Sequence, residues 1–243
     1  MAKKTEEPTI GKLSDKAAQE FIKSGTPLDD ILGGGFARGR ITELWGKEGV
    51  GKTHVATLLM ANMSKDQKVL FIDTEYSLNK DHVLALGADP ANIQYLADSR
   101  LERVCEALIE AVRSNKYDVI ILDSLAMLTP LTVENQEVGE RSIGLFALLL
   151  KHWVVKFRPL LSVSKTAFIA LNQYRPAIGL YVTPEPPGGR AWAHSVDARV
   201  LMTTSSAAKV SDKGVVVGHK VTCVTKKNKL APPHQTCEVK ITY

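Results

Sequence analysis

Residues 41–53 constrain the fold more than any other stretch of this chain. Ile41-Thr42-Glu43-Leu44-Trp45 is a largely apolar run that ends at Gly46, and Gly46-Lys47-Glu48-Gly49-Val50-Gly51-Lys52-Thr53 has the spacing G-x-x-x-x-G-K-T. A strand, this loop and a following helix form a phosphate-binding unit. Glycines at 46, 49 and 51 let backbone N–H groups turn towards a phosphate that a β-carbon would obstruct. The helix starting near Lys52 points its positive end at the same anion. Lys52 is placed to reach the β- and γ-phosphates, and the Thr53 hydroxyl to sit on Mg²⁺. The expected nucleotide-binding residues are therefore Gly46, Lys47, Glu48, Gly49, Val50, Gly51, Lys52, Thr53 and His54, with ATP and Mg²⁺ as the cofactors.

At 243 residues the chain is long enough for one large α/β domain or two small ones, and 44% hydrophobic content supports a sizeable core. No apolar run approaches the roughly 20 residues that a membrane helix needs. Met1–Pro8 is charged with no signal-peptide core behind it, so a cytoplasmic protein without a membrane partner is expected. Cys105, Cys223 and Cys237 lack metal-ligand spacing and read as reduced thiols. Charge is uneven. Residues 1–149 hold 17 Lys and Arg against 22 Asp and Glu, whereas residues 150–243 hold 14 against 4. The second half thus presents a basic surface, either solvated or facing nucleic acid.

The remaining elements follow in order. Residues 1–24 form a short leader, with 9–13 as an edge strand and Ser14 capping a helix to about Ile22. A helical turn carrying Leu28, Ile31 and Leu32 stops at Gly33. After the loop come a helix over about 53–63 and the buried strand 68–75. A helix over 80–86, the strand 93–96 and the amphipathic helix 100–114 follow. The buried strand 119–124, an apolar helix over 143–157 and the strand 166–172 complete the alternation. Strands alternating with helices predict an α/β fold: a mostly parallel central sheet, helices on both faces, and ligands at the strands' C-terminal ends. From Ala198 strands occur without helices (199–203, 214–225, 236–242), which predicts an antiparallel β extension at the C-terminal end.

Polar residues terminate several of these strands. Asp123 closes a strand of four apolar residues and is the expected partner of the Mg²⁺ shell. Glu75 ends another and is a candidate for polarising the attacking water. Asn172-Gln173 ends a third, with the Gln173 amide in position to sense the γ-phosphate.

With these pieces in place the sequence resembles the RecA family of ATP-dependent DNA strand-exchange proteins, from about Gly25 to Tyr243. The resemblance is carried by Leu28-Asp29, the loop 46–53, Phe71-Ile72-Asp73-Thr74-Glu75 and Leu122-Asp123-Ser124-Leu125-Ala126. It continues through Asn172-Gln173-Tyr174-Arg175, Pro186-Pro187-Gly188-Gly189-Arg190-Ala191 and Lys227-Asn228-Lys229-Leu230-Ala231-Pro232. The last three pieces separate recombinases from ring-shaped helicases.

The resemblance implies a phosphate-loop ATPase core over 25–243 and, in the leader 1–24, a short polymerisation segment. Glu75 is then the general base and Gln173 the γ-phosphate sensor. Lys227 and Lys229 reach into the neighbouring subunit's site, and His82 stacks on adenine. A first DNA loop falls at about 134–144 with Arg141 and Ile143, and a second at 174–189 with Arg175, Ile178, Gly188 and Gly189. Lys151 and Arg190 add phosphate charge. The implied partners are single-stranded DNA, homologous duplex DNA and further copies of the chain in a helical filament. The chain stops at Tyr243, where the RecA core ends, so the family's C-terminal domain is expected to be absent. Two alternatives remain at this point: an accessory single-strand-binding or annealing ATPase on the same core, and a ring-forming motor.

Overall fold

The structure is a computed structural model describing residues 12–15, 17–134, 144–174, 185–204, 208–212 and 214–242. Its strands are β1 (Phe21–Ile22), β2 (Phe36–Ala37), β3 (Ile41–Gly46), β4 (Val69–Asp73), β5 (Ile93–Ala97) and β6 (Val119–Asp123). They continue with β7 (Ala167–Gln173), β8 (Ala198–Thr203), β9 (Lys209–Asp212), β10 (Val215–Asn228) and β11 (Thr236–Thr242). The helices are α1 (Leu28–Leu32), α2 (Lys52–Met63), α3 (Lys80–Ala85), α4 (Leu101–Arg113), α5 (Leu131–Glu134), α6 (Leu145–Ser164) and α7 (Gly189–Ser195).

Among the described residues the main sheet has the order β11-β10-β8-β3-β7-β6-β4-β5, with β9 paired to β10. The five strands from β3 to β5 in that order, together with β8, pair in parallel, and β8–β10 and β10–β11 pair antiparallel. Period-2 alternation divides the core between the two faces. Leu44, Phe71, Ile121 and Ile169 face one cluster, to which α1, α2 and α3 contribute. Ile41, Ile72, Ile120 and Phe168 face the other, to which α4, α6 and α7 contribute. Both faces are covered, so the central strands are apolar throughout: every residue of β4 and β6 is buried.

Three expectations need correction, and one strand is additional. The leader does not form a helix to Ile22: Leu13–Asp15 is a single 3-10 turn, and Phe21–Ile22 is a strand paired with Phe36–Ala37. Two apolar residues at the end of a polar segment find backbone partners more readily than a helix face to bury. The apolar helix does not end at Phe157 but continues through Pro159 to Ser164. Leu161 is fully buried, and its packing outweighs the loss of one helical N–H at Pro159. The first strand after Ala198 belongs to both parts of the sheet, because β8 runs antiparallel to β10 but parallel to β3. The seven-residue α7 supplies the crossover, too short to stand out against the glycines and prolines before it. Finally, β9 was not anticipated at all. The part of the predicted edge strand at 9–11 lies outside the described residues.

Candidate active site

The phosphate loop is shaped by contacts with the sheet's antiparallel end as well as by its own sequence. Gly51 has φ +96°, and a β-carbon there would stand 2.7 Å from Ile241 Cδ1 and 3.0 Å from His219 Nε2. At Gly46 it would stand 2.4 Å from the Met202 carbonyl oxygen. Only glycine fits either position. Lys52, the first residue of α2, is buried, and its ammonium donates to the carbonyls of Gly46 (3.2 Å) and Lys47 (3.0 Å). Burial pulls its pKa down, while Asp123, Glu75 and Glu48 pull it up, and burial prevails.

The predicted strand ends converge on this loop. A cavity of about 300 Å³ is lined by Glu48, Gly49, Gly51, Lys52, Thr53, His54, Glu75, Gln173 and His219. Glu75 Oε1 accepts from Ser124 Oγ (2.8 Å) and from Gln173 Nε2 (3.0 Å), so the two residues singled out for catalysis and sensing touch. Asp123 is almost wholly buried, and its carboxyl pKa is pushed up to about 7. Desolvation is the main cause, and Glu75 and Asp73 add to it; the Thr53 hydroxyl and Lys52 oppose it. Its Oδ2 is one of two buried side-chain polar atoms among the described residues with no hydrogen-bond partner. A buried carboxylate oxygen left unpaired beside the Thr53 hydroxyl suits a hard divalent cation, which takes oxygen ligands and would remove the cost of that charge. The residues present therefore fit Mg²⁺.

His82 sits on α3, whose first turn is capped by the Asn79 side chain. Its ring meets that of His54 edge-on, with centroids 5.7 Å apart. The two rings line a second cavity of about 290 Å³ with Thr53, Thr57, Ser77, Leu78 and Asn79, adjoining the phosphate cavity through Thr53 and His54.

Lys227 and Lys229 lie at the end of β10, away from the cavity of their own subunit. Lys227 Nζ donates to the carbonyls of Ala193 (2.7 Å) and His194 (3.3 Å), and Lys229 Nζ to that of His194 (3.3 Å). They thus occupy the C-terminal end of α7, where cations complement the carbonyls. Burial, then Lys229, lowers the Lys227 pKa. Asn228 points the other way, its amide donating to the Ile31 carbonyl (3.3 Å), as strand alternation requires.

Of the expected DNA-binding residues, Lys151 is exposed on α6, and Gly189 and Arg190 are exposed at the start of α7. Gly188 is buried against Trp192. Gly189 packs next to Ala147, so the starts of α6 and α7 are neighbours. Arg141, Ile143, Arg175 and Ile178 lie outside the described residues.

Three site residues escaped the sequence reading. Asp73 accepts the N–H groups of Glu75, Ser77 and Leu78 (2.9–3.0 Å) and the Tyr95 hydroxyl (3.0 Å), and so folds the segment that presents Glu75. Its place two residues before Glu75 at a strand end was a readable signal. His219 reaches the phosphate loop from β10, with Nε2 3.4 Å from the Val50 carbonyl; only the tertiary fold brings it there. Glu43, 0% exposed, is a charge inside a buried strand. Its Oε1 accepts from Asn172 Nδ2 (2.8 Å) and Trp192 Nε1 (2.7 Å), and its Oε2 from Arg199 Nε (2.6 Å).

Residues 2–243 match the family described as the RecA N-terminal domain. The chain is 34% identical over 241 residues to Protein RecA of Staphylococcus aureus strains JH9, Newman and JH1, spanning 96% of this chain and 69% of each relative. No helix among the described residues is long and apolar enough to cross a membrane.

Proposed function

Because this chain belongs to the RecA family, we propose that it is an ATP-dependent DNA recombinase. In this reading it forms filaments on single-stranded DNA and catalyses homologous pairing and strand exchange in the cytoplasm, hydrolysing ATP to ADP and phosphate when bound to DNA. The observation that carries the reading is the meeting of Lys52, Thr53, Glu75 and Gln173 around one cavity, with Asp123 behind Thr53.

Each residue has a task there. The loop N–H groups and Lys52 hold the β- and γ-phosphates. Thr53 and Asp123 would hold Mg²⁺, which supplies charge neutralisation at those phosphates. Glu75 takes a proton from the water that attacks the γ-phosphorus, as the bond to the β–γ bridging oxygen breaks. Ser124 and Gln173 both bond Oε1 of Glu75, and we assign Oε2 to the water. Gln173 exchanges its bond to Glu75 for one to the γ-phosphate and so reports the nucleotide state to the segment 174–189. There Arg175, Gly188 and Gly189 bind DNA phosphates and Ile178 separates bases; Arg141 and Ile143 act from the first loop, and Lys151 on α6 and Arg190 on α7 add phosphate charge. His82 stacks on adenine.

The site is completed by Lys227 and Lys229 of an adjacent copy. A head-to-tail contact of this kind generates a filament rather than a closed dimer. The test is a strand-exchange assay with circular single-stranded DNA and homologous linear duplex, with and without ATP, alongside electron microscopy. ATP-dependent joint molecules and extended filaments are expected. Filaments or clusters without exchange favour an accessory annealing protein, and rings favour a motor.

A further inference from the structure

From the hydrogen bonds around Glu43 we infer that this buried carboxylate is a positioning residue that ties the nucleotide state to DNA affinity. The inference rests on the recombinase reading, and on residues 174–189 contacting DNA.

Glu43 lies three residues before Gly46, on the strand that opens the phosphate loop. It pairs across the sheet with Ala170 on one side and Arg199 on the other. Its partner Asn172 is itself fully engaged. One amide hydrogen goes to Glu43, the other to the Pro187 carbonyl (2.9 Å), and Oδ1 accepts the N–H of Gln173 (3.0 Å). Gln173 in turn holds Glu75. One continuous set of hydrogen bonds therefore runs from the cavity through Gln173 and Asn172 to Glu43. From there it branches to Trp192 of α7 and Arg199 of β8, and Asn172 also bonds the chain at Pro187. Both ends of the segment between Tyr174 and Pro187 are fixed from this one buried cluster.

The chemistry at position 43 calls for a carboxylate. Three donors converge on it, from Asn172, Trp192 and Arg199, and only an acceptor-only group satisfies all three. Glutamine has the same shape but carries an NH₂. That group must face either the Arg199 Nε–H or the Asn172 and Trp192 donors, and in both cases a donor meets a donor inside a dry core. Facing Asn172, the NH₂ turns that amide away and breaks its grip on Pro187; facing Arg199, it repels the guanidinium N–H and draws the carboxamide off Asn172 and Trp192. No residue that touches nucleotide is altered.

The experiment compares wild-type protein with Glu43→Gln. Affinity for a fluorescein-labelled oligo-dT is measured by anisotropy, with and without Mg²⁺ and a slowly hydrolysed ATP analogue, and the ratio of the two affinities is the coupling. Couplings of about 5- to 150-fold are typical of linked sites. Glu43→Gln is expected to bind the analogue alone within about twofold of wild type and to lose about tenfold of the coupling. The change in tryptophan emission on adding the analogue should shrink with it, because Trp192 donates directly to Glu43. The double variant Glu43→Gln/Arg199→Gln puts a carbonyl oxygen where the guanidinium Nε stood, giving the new NH₂ an acceptor, and should restore most of the coupling. Should Glu43→Gln fail to fold by circular dichroism, Trp192→Phe removes one of the three donors while keeping an aromatic ring in the core, and a reduced coupling is expected there. Wild-type coupling retained in the variants overturns this inference and leaves the recombinase reading standing. No nucleotide-dependent tightening in the wild-type protein overturns both.

Discussion

Asp197→Asn should destabilise the protein far more than the loss of any surface ion pair. Asp197 is 1% exposed and sits between α7 and β8. Its carboxylate accepts the Ile41 N–H (3.1 Å) at the start of β3 and is gripped by both terminal nitrogens of Arg158, with Arg40 at 3.5 Å and Lys229 at 3.6 Å. Burial alone would raise its pKa, but Arg158, the Ile41 N–H and Lys229 together hold it below the ordinary carboxylate value of 3.8. Removing one partner of a buried pair costs about 3–5 kcal/mol. The Arg158 side chain is 26% exposed, so water recovers part of its loss and the lower end, about 3 kcal/mol, applies. For a chain of this size that is a fall in Tm of about 6–12 °C. The control is Glu20→Gln, which breaks the pair with Lys165, whose side chains are each about half exposed. Water screens such a pair, and its loss should leave Tm almost unchanged. Thermal unfolding followed by circular dichroism at pH 7 reads both variants. The sign with pH is also set. A lowered carboxylate pKa contributes stability in full above 3.8, and that stability is lost as pH falls towards the lower native value. The wild-type excess over Asp197→Asn should therefore hold from pH 7 to about 4.5 and narrow below 4. Equal Tm shifts in the two variants, or an excess that does not narrow in acid, would refute the assignment.

Four further outcomes are expected of the proposed machinery. Lys52→Ala should abolish ATP hydrolysis in a phosphate-release assay, and substantial residual turnover would remove the phosphate loop from the mechanism. Glu75→Gln should instead keep ATP binding, slow hydrolysis by about 10²-fold or more and prolong DNA binding; equal loss of nucleotide binding in both variants counts against a general base. Arg175→Ala should weaken single-strand binding equally for all sequences and flatten its salt dependence by about one ion, and a sequence-selective defect would contradict a phosphate contact. Lys227→Ala and Glu75→Gln, mixed in equal amounts on single-stranded DNA, should regenerate about one sound site in four if the lysine acts across the subunit boundary. A mixture that forms filaments yet stays inactive rules that out.

Much of this was legible in the sequence because the determinants are local. The phosphate loop is a contiguous string, and the strands ending at Asp73 and Asp123 announce themselves as apolar runs closed by a carboxylate. Harder to read were features decided by what packs against them. Pro159 within α6 argues locally for a helix end, and only the buried Leu161 beyond it overrides that. Strand β8 reads like its antiparallel neighbours, since direction is set by the short α7 preceding it. His219 has no neighbour in sequence that hints at a phosphate. Glu43 left a trace, a charge within an otherwise buried strand, but its meaning needed Asn172, Trp192 and Arg199, which are 129, 149 and 156 residues away.

The contact of Gly51 with Ile241 also bears on the order in which the protein is made. The phosphate loop is synthesised early, yet one wall against it is the penultimate described residue, on the last strand. At about 5–20 residues per second, roughly 10–40 s separate the synthesis of Thr53 from that of Ile241. A ribosome-bound chain arrested before Thr236 would carry the complete G-x-x-x-x-G-K-T sequence and still fail to retain ATP, whereas one extended past Thr242 by enough residues to clear the exit tunnel would hold it. On the proposed function, nucleotide binding is therefore expected only after the last strand is in place, because the wall that Ile241 gives the phosphate loop is synthesised last among the described strands.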